Sequence, residues 1–508
     1  MRSALLFAVV CLLAVACGDD GLEGYTSDRS EVAEDVTTTI DGSVAIPTTP
    51  DTTAVPESTT TTRAPQPAAE HGIDAAPGLG DAYFPSLGNE GYDAISYDLR
   101  LDVDTTTDTV QGAMTMQARA LLDLRSFSLD FVGMDVVEAV VDGIAVEYAH
   151  EDGELVLFAA ETIASGSTFE VDVTYEGTPT LVDSPAWRSG VGWIDAGPFS
   201  YVVSEPSGAH GFYPVNDHPS DKAIYRFEIT APSEDEVIAN GLLTSRTELP
   251  DGTTTWIYEP RDPMASYLVT IAIGNFLLTE STSDSGLVLR DALAPPFAPL
   301  ADTITQMHTE MIDHFEDLFG PYPFEAYGAL VVDDDFGGAL ENQTLSVFSG
   351  SIMRGSIIED VVAHELAHQW FGDAVTPVRW RDIWLNEGFA TYAEWLWRDA
   401  KYPDFDIDAH ARDLADRGRG LWGPPGDPGP GDLFASTVYI RGGLTLHALR
   451  RTVGDDAFFE ILRTYVERNL HSTVGTEDFI AVSEEVSAMD LATLFDAWLY
   501  EGQTPELP

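Results

Sequence analysis

The chain has 508 residues, 44% of them hydrophobic, which is enough for two or three domains with substantial cores. Its 85 acidic and 25 basic side chains give a formal net charge of -60, which repels a polyanion and excludes nucleic acid as a partner. The two cysteines, Cys11 and Cys17, both lie near the start, so the remaining body has no disulfides and relies on packing and metal for its stability.

Residues 1–17 carry the pattern of an export signal. Met1-Arg2 supplies a positive start, and Leu5 to Ala16 form an apolar run too short for an ordinary membrane span. The run closes on Leu13-Ala14-Val15-Ala16-Cys17, small residues before a cysteine, which resembles a bacterial lipobox. The expectation is an exported protein held at the membrane by a lipid on Cys17; the competing reading is an ordinary cleaved signal with an incidental cysteine. Residues 18–80 turn to Thr, Pro, Ala, Asp and Glu, including Thr59-Thr60-Thr61-Thr62. Such a stretch buries too little apolar surface to offset its ordering entropy and predicts a disordered linker.

Folded sequence is expected from residue 81. Ile95, Tyr97, Leu99, Leu101 and Val103 alternate with Ser96, Asp98, Arg100 and Asp102, the period of a half-buried strand. Segments at Phe127–Phe131, Phe169–Tyr175, Ala223–Thr230 and Tyr267–Ile273 repeat this character, so residues 81–282 read as a mostly antiparallel β domain. Beyond it the helical period takes over, first through Ile304, Met307, Met311, Ile312 and Phe315, then in windows near 357–371, 382–398, 441–452 and 456–467. Residues 283–508 therefore form a second, helix-rich domain, and the fold class is α+β.

That second domain holds the strongest chemical signal, His364-Glu365-Leu366-Ala367-His368, with Ser356 and Glu359 as a candidate capping box before it and Gly372 as a stop after it. Two histidines four apart project from one helix face, the separation at which both can reach one tetrahedral zinc, and Glu365 stands beside them as a candidate general base. Three fixed positions in five residues can coincide by chance, but further residues join them. Trp384-Leu385-Asn386-Glu387-Gly388 places Glu387 on a second helix, where its carboxylate supplies a third ligand and leaves a fourth position open, as a catalytic site requires. Glu394, two turns further along, can accept a hydrogen bond from a ligating histidine; its bland alternative is a solvated helix carboxylate.

Four further elements, in order, resemble the aminopeptidase N family of gluzincin zinc peptidases, relatives of leukotriene hydrolase. Gly338-Ala339-Leu340-Glu341-Asn342 is similar to the family's exopeptidase motif, with Leu340 where Met is commoner. The resemblance implies that Glu341 pairs with the substrate's α-amine and that backbone at Gly338 and Ala339 runs along the peptide. Ser204-Glu205-Pro206, followed by Phe212-Tyr213-Pro214-Val215-Asn216-Asp217, resembles the segment whose acidic or amide residue assists amine recognition, which falls on Glu205. His210 stands where relatives often carry arginine and reads as structural or surface, not as a ligand. Val438-Tyr439-Ile440-Arg441-Gly442-Gly443 resembles the segment bearing the oxyanion-stabilising tyrosine, here Tyr439, with Arg441 where lysine is usual. Leu494-Phe495-Asp496-Ala497-Trp498-Leu499-Tyr500 and Gly502 resemble the close of the catalytic domain.

The resemblance covers roughly residues 87–508 and implies a thermolysin-like catalytic domain, one zinc ion, and peptide substrates with a free amino end. His364, His368 and Glu387 would hold the metal, with Glu394 behind them. Larger relatives add C-terminal domains that roof the cleft, so an open-cleft endopeptidase or oligopeptidase is an alternative. A non-catalytic peptide-binding surface lipoprotein and a lipid-epoxide hydrolase are the others.

Overall fold

The computed structural model describes residues 72–187 and 189–508. The signal segment, Cys17 and most of the linker lie outside them. The last linker residues are not free chain, however. Ile73–Asp74 runs parallel to Leu124–Ser126 as an edge strand, and Pro77 bridges Asn89, so the ordered body starts before residue 81.

The first half is built of β structure. Its main sheet has nine strands, centred on Tyr92–Asp104 between Thr109–Ala120 and Lys222–Pro232. Pairing is antiparallel except between Lys222–Pro232 and Tyr92–Asp104, which run parallel. Tyr97, Leu99, Leu101 and Val103 point into the core, as their alternation predicts, and Asp102 and Arg100 point out. Ile95 departs from the pattern. A bulge between Ala94 and Ser96 shifts the register, so Ala94 takes the buried position. Two smaller sheets flank this one, the five-stranded one containing Phe199–Val203 and Ile271–Gly274. Tyr267 lies in a 3-10 turn, Ser266–Leu268, instead of the predicted strand.

Leu277–Thr282 pairs with Val288–Leu293 in a six-stranded sheet that continues through Ala329–Val331 and Ser346–Phe348 to Ala339–Leu340 at its edge. The strand expected to close the β domain therefore opens the second sheet. Eight helices of eight residues or more pack with it among the described residues: α1 Ala301–Phe319, α2 Ile358–Ala367, α3 Trp384–Lys401, α4 Ile407–Gly418, α5 Gly442–Val453, α6 Asp455–Asn469, α7 Thr476–Ser487 and α8 Ala492–Leu499. None of them is long and apolar enough to cross a membrane. Continuous burial along α3, from Trp384 to Ala393, makes it the central helix of the domain.

The expected capping box does not form. Ile357 precedes α2 with no side-chain cap, and the Glu359 carboxylate instead accepts from Trp397 Nε1 at 3.2 Å and from the Tyr402 hydroxyl, both presented by the α3 region. A tertiary partner has outcompeted the local one. Arg441 is wholly buried. Its guanidinium donates to the carbonyls of Trp498 at 2.9 Å, Ala497 at 3.0 Å, Glu501 at 2.6 Å and Gly423 at 3.0 Å, clamping the end of α8 to the start of α5. A lysine, with three donors on one point, has no such planar reach.

Candidate metal centre and substrate cleft

His364 lies in the last turn of α2, and His368, the next residue on that face, keeps helical backbone angles as the helix ends. Glu387 is in the first turn of α3, which crosses α2. Donor atoms of His364, His368 and Glu387 lie within 4.8 Å of one another, all three residues buried. Glu387 Oε2 is 3.1 Å from His364 Nε2 and 3.5 Å from His368 Nε2. Behind them, His364 Nδ1 is 2.6 Å from Glu394 Oε1, and His368 Nδ1 is 3.1 Å from the Phe371 carbonyl.

Those outer contacts decide the tautomers. A carbonyl can only accept, so His368 Nδ1 carries the proton and its Nε2 presents a lone pair inward; Glu394 does the same for His364. Two imidazole lone pairs and a carboxylate oxygen thus converge at hydrogen-bond distances with no donor among them. Such an arrangement needs a cation, and two nitrogens with one oxygen suit zinc. Without that ion a proton on each histidine would take its place: burial disfavours charge on Glu387, yet hydrogen bonds from protonated His364 and His368 hold it down at about 2.

The surroundings are strongly acidic. Burial pushes Glu365 up to about 8, with His364 and His368 opposing and Glu341 and Glu387 adding to the rise. Burial raises Glu341, and burial with the neighbouring Glu341 charge raises Glu205 well above the usual carboxylate range. Glu341 follows the edge strand Ala339–Leu340 and groups with Glu365 and His368 within 4.8 Å. Glu205 is 3% exposed, and one oxygen of each of Glu205 and Glu341 is buried without a hydrogen-bond partner among the described residues. Gly338 and Ala339 form the rim of the same edge, half-buried, and Ala339–Leu340 pairs on one side only, with Ser346–Phe348. An edge of this kind is free to pair with an extended backbone. Asn342 is buried and donates to the Leu268 carbonyl at 3.1 Å, so its Asn-Gln-Thr sequence does not form a surface sequon.

Tyr439 lies in a π-helical turn, Thr437–Arg441, directly before α5. Its ring centroid is 5.8 Å from that of His364, with the rings 24° apart. A close helix crossing positions this turn. A Cβ on Gly388 would sit 2.8 Å from Gly442 Cα, so α3 and α5 meet backbone to backbone. His210 is buried and contacts Asp217 at 2.6 Å through Nδ1, away from the donor cluster; it is structural and not on the surface.

Sequence reasoning passed over Gln369. Its Nε2 donates to the Glu341 carbonyl at 2.8 Å and its Oε1 accepts from Thr344 N at 2.9 Å, tying the edge strand to the metal helix. The signal available was its place directly after His368. Lys222, in the first half, is half-buried and its Nζ donates to the Asp373 carbonyl in the second at 2.6 Å.

A β-rich half joined to a helical half, with a buried two-histidine, one-glutamate donor set on two crossing helices of the latter, defines a zinc metallopeptidase. Residues 304–498 match the Peptidase family M1 domain and residues 93–268 match the Peptidase M1 N-terminal domain. The crystal structure of an M1 zinc metallopeptidase from Deinococcus radiodurans superposes with a TM-score of 0.78 at 32% identity, covering 85% of this chain and 98% of that one. A mutant form of that enzyme bound to Tyr-Ser-Ala gives a TM-score of 0.77 at 33% identity, covering 85% of this chain and 99% of that one. Aminopeptidase N of Streptomyces lividans is 26% identical over 447 residues, 80% of this chain and 50% of that protein. The chain spans half or less of the length of the first curated relatives it matches. It belongs to peptidase family M1.

Proposed function

We propose that this protein is a zinc-dependent aminopeptidase that hydrolyses the first peptide bond of peptides with a free amino end. The observation that carries this reading is Glu341, a buried carboxylate with one oxygen unpartnered among the described residues, next to both the metal donors and an open sheet edge. A fixed buried carboxylate favours an ammonium, and an ammonium anchored there leaves one peptide bond within reach of the centre. The Streptomyces lividans relative's name and the peptide bound to the Deinococcus radiodurans enzyme support it.

His364, His368 and Glu387 would hold zinc, which when bound supplies Lewis-acid polarisation of the scissile carbonyl and acidifies water. Glu365 takes the proton from the attacking water and returns it to the leaving amine. The Tyr439 hydroxyl donates to the oxyanion that develops on the carbonyl oxygen as the water adds to its carbon. Glu205 helps Glu341 hold the amine, and backbone along Gly338 and Ala339 pairs with the extended substrate. Export and a lipid anchor on Cys17 complete the proposal. Their support is the sequence pattern alone, and Cys17 lies outside the described residues.

The test is a panel of aminoacyl amides, free and N-acetylated, with and without a chelator. Chelator-sensitive cleavage confined to free amines is the expected result. Cleavage of acetylated substrates would move the assignment to an endopeptidase, and no cleavage of either to a binding protein.

A further inference from the structure

Beside the proposed amine site lies a cavity of about 180 Å³, lined among others by Trp187, Tyr201, Glu205, Asp334, Phe336 and Leu340. It is too small for a drug-sized ligand and suits one side chain. Glu205 and Leu340 line it, and they flank the place where Glu341 would hold the α-amine. The side chain of an N-terminal residue branches from the carbon that bears that amine, so a substrate anchored at Glu205 and Glu341 directs its first side chain here.

The lining is divided in chemistry. Trp187, Tyr201 and Phe336 provide aromatic surface, the last two with ring centroids 5.9 Å apart. Asp334 and Asp335 also line the cavity. Tyr201 Oη donates to Asp334 Oδ2 at 2.8 Å, and the Asp335 backbone N–H donates to Asp334 Oδ1 at 2.8 Å, fixing that carboxylate. Ser351 Oγ donates to Asp335 Oδ1 at 2.6 Å. Among the described residues neither aspartate has a Lys, Arg or His partner within salt-bridge distance, although the adjacent Asp333 pairs with Arg354. Of the lining residues, Glu205 through Oε1 and Trp187 through Nε1 carry buried polar atoms that have no partner among the described residues.

We propose that this cavity selects substrates whose first residue is basic, arginine above all, with its stem and guanidinium plane against the aromatic walls and its fork on Asp334 and Asp335. The inference rests on the aminopeptidase reading above and names its substrate class. Guanidinium stacks on aromatic faces and forks onto carboxylates, whereas an ammonium offers only a point charge, so arginine ranks above lysine. Acidic first residues meet the like charges of Asp334 and Asp335 and are rejected.

The experiment compares kcat/KM for the amides of arginine, lysine, norleucine, phenylalanine and glutamate on the zinc-loaded protein, then on Asp334→Asn and Asp335→Asn. Norleucine has an unbranched stem like that of lysine, without the charge. Arginine is expected to exceed norleucine by about tenfold or more, the scale of a charge-assisted contact, with glutamate lowest. Each substitution should lower the arginine-to-norleucine ratio within one preparation, a readout that partial misfolding does not move. Norleucine or phenylalanine cleaved as well as arginine would overturn this inference while leaving the aminopeptidase reading intact. Failure to cleave any free-amine amide would overturn both.

Discussion

His364 Nδ1 and Glu394 Oε1 lie 2.6 Å apart, linking the metal helix to a carboxylate two turns beyond Glu387 on α3. One helix therefore supplies both an inner donor and the group that orients a second one. Glu394→Gln keeps the shape and removes the charge that fixes the imidazole. Zinc affinity should fall about 10- to 100-fold, read by titration against a competing chelator. An unchanged affinity would assign Glu394 to the solvated face of the helix.

Glu365 has no place in the inner donor set of His364, His368 and Glu387. Glu365→Gln should retain one zinc per chain and lose turnover by about 100- to 10,000-fold, with metal content and kcat measured on the same sample. A fully active variant would refute its role as base.

Chelation should act on stability as well as activity. Removing zinc leaves Glu387 facing two imidazoles in a buried site, so the melting temperature should drop and recover on adding zinc. A melting temperature indifferent to chelator would mean that the donor set does not hold the ion.

Glu341→Ala should weaken binding of free-amine substrates most, raising KM for aminoacyl amides far more than the inhibition constant of their acetylated forms. Glu205→Gln should do the same to a smaller degree, because it keeps a hydrogen-bonding group. Equal effects on free and blocked substrates would remove amine recognition from both residues.

His447, 2% exposed on α5, sets a stability dependence distant from the chemistry. Burial holds its pKa down to about 4, with Asp408 opposing and Arg450, Arg451 and Arg412 assisting; Tyr392 Oη contacts its Nδ1 at 3.2 Å. Its unfolded value is about 6.5. Between these values the unfolded chain binds the extra proton. The contribution is therefore whole above pH 6.5 and is lost as pH falls towards 4, by at most about 3 kcal/mol. His447→Gln should flatten that part of the denaturant-midpoint profile, whereas parallel profiles for both proteins would count against the assignment.

How much of this was legible without coordinates follows from how local each signal is. The helix of His364 and His368, the helix of Glu387 and Glu394, and the alternating strand through Leu99 and Leu101 are written in near-neighbour spacing, and they stand where that spacing put them. What was missed depends on partners far away in sequence. Glu359 turned from its own helix end to Trp397 and Tyr402, and a bulge at Ala94 displaced Ile95 from the core. Leu277–Thr282 joined the sheet after it because its pairing partner is Val288–Leu293. The side-chain cavity draws on residues far apart in sequence, with no period or motif joining them, so composition along the chain has nothing to announce it.

Gly388 and Gly442 touch where α3 crosses α5, and their neighbours in sequence are Glu387 on one helix and, three residues earlier on the other, Tyr439. A carboxylate and a phenol from separate segments therefore share one mechanical coordinate, the gap between two helix axes. Any bulk added at the crossing would widen that gap and carry both groups apart together, so the metal donor and the oxyanion donor rise or fall as a unit.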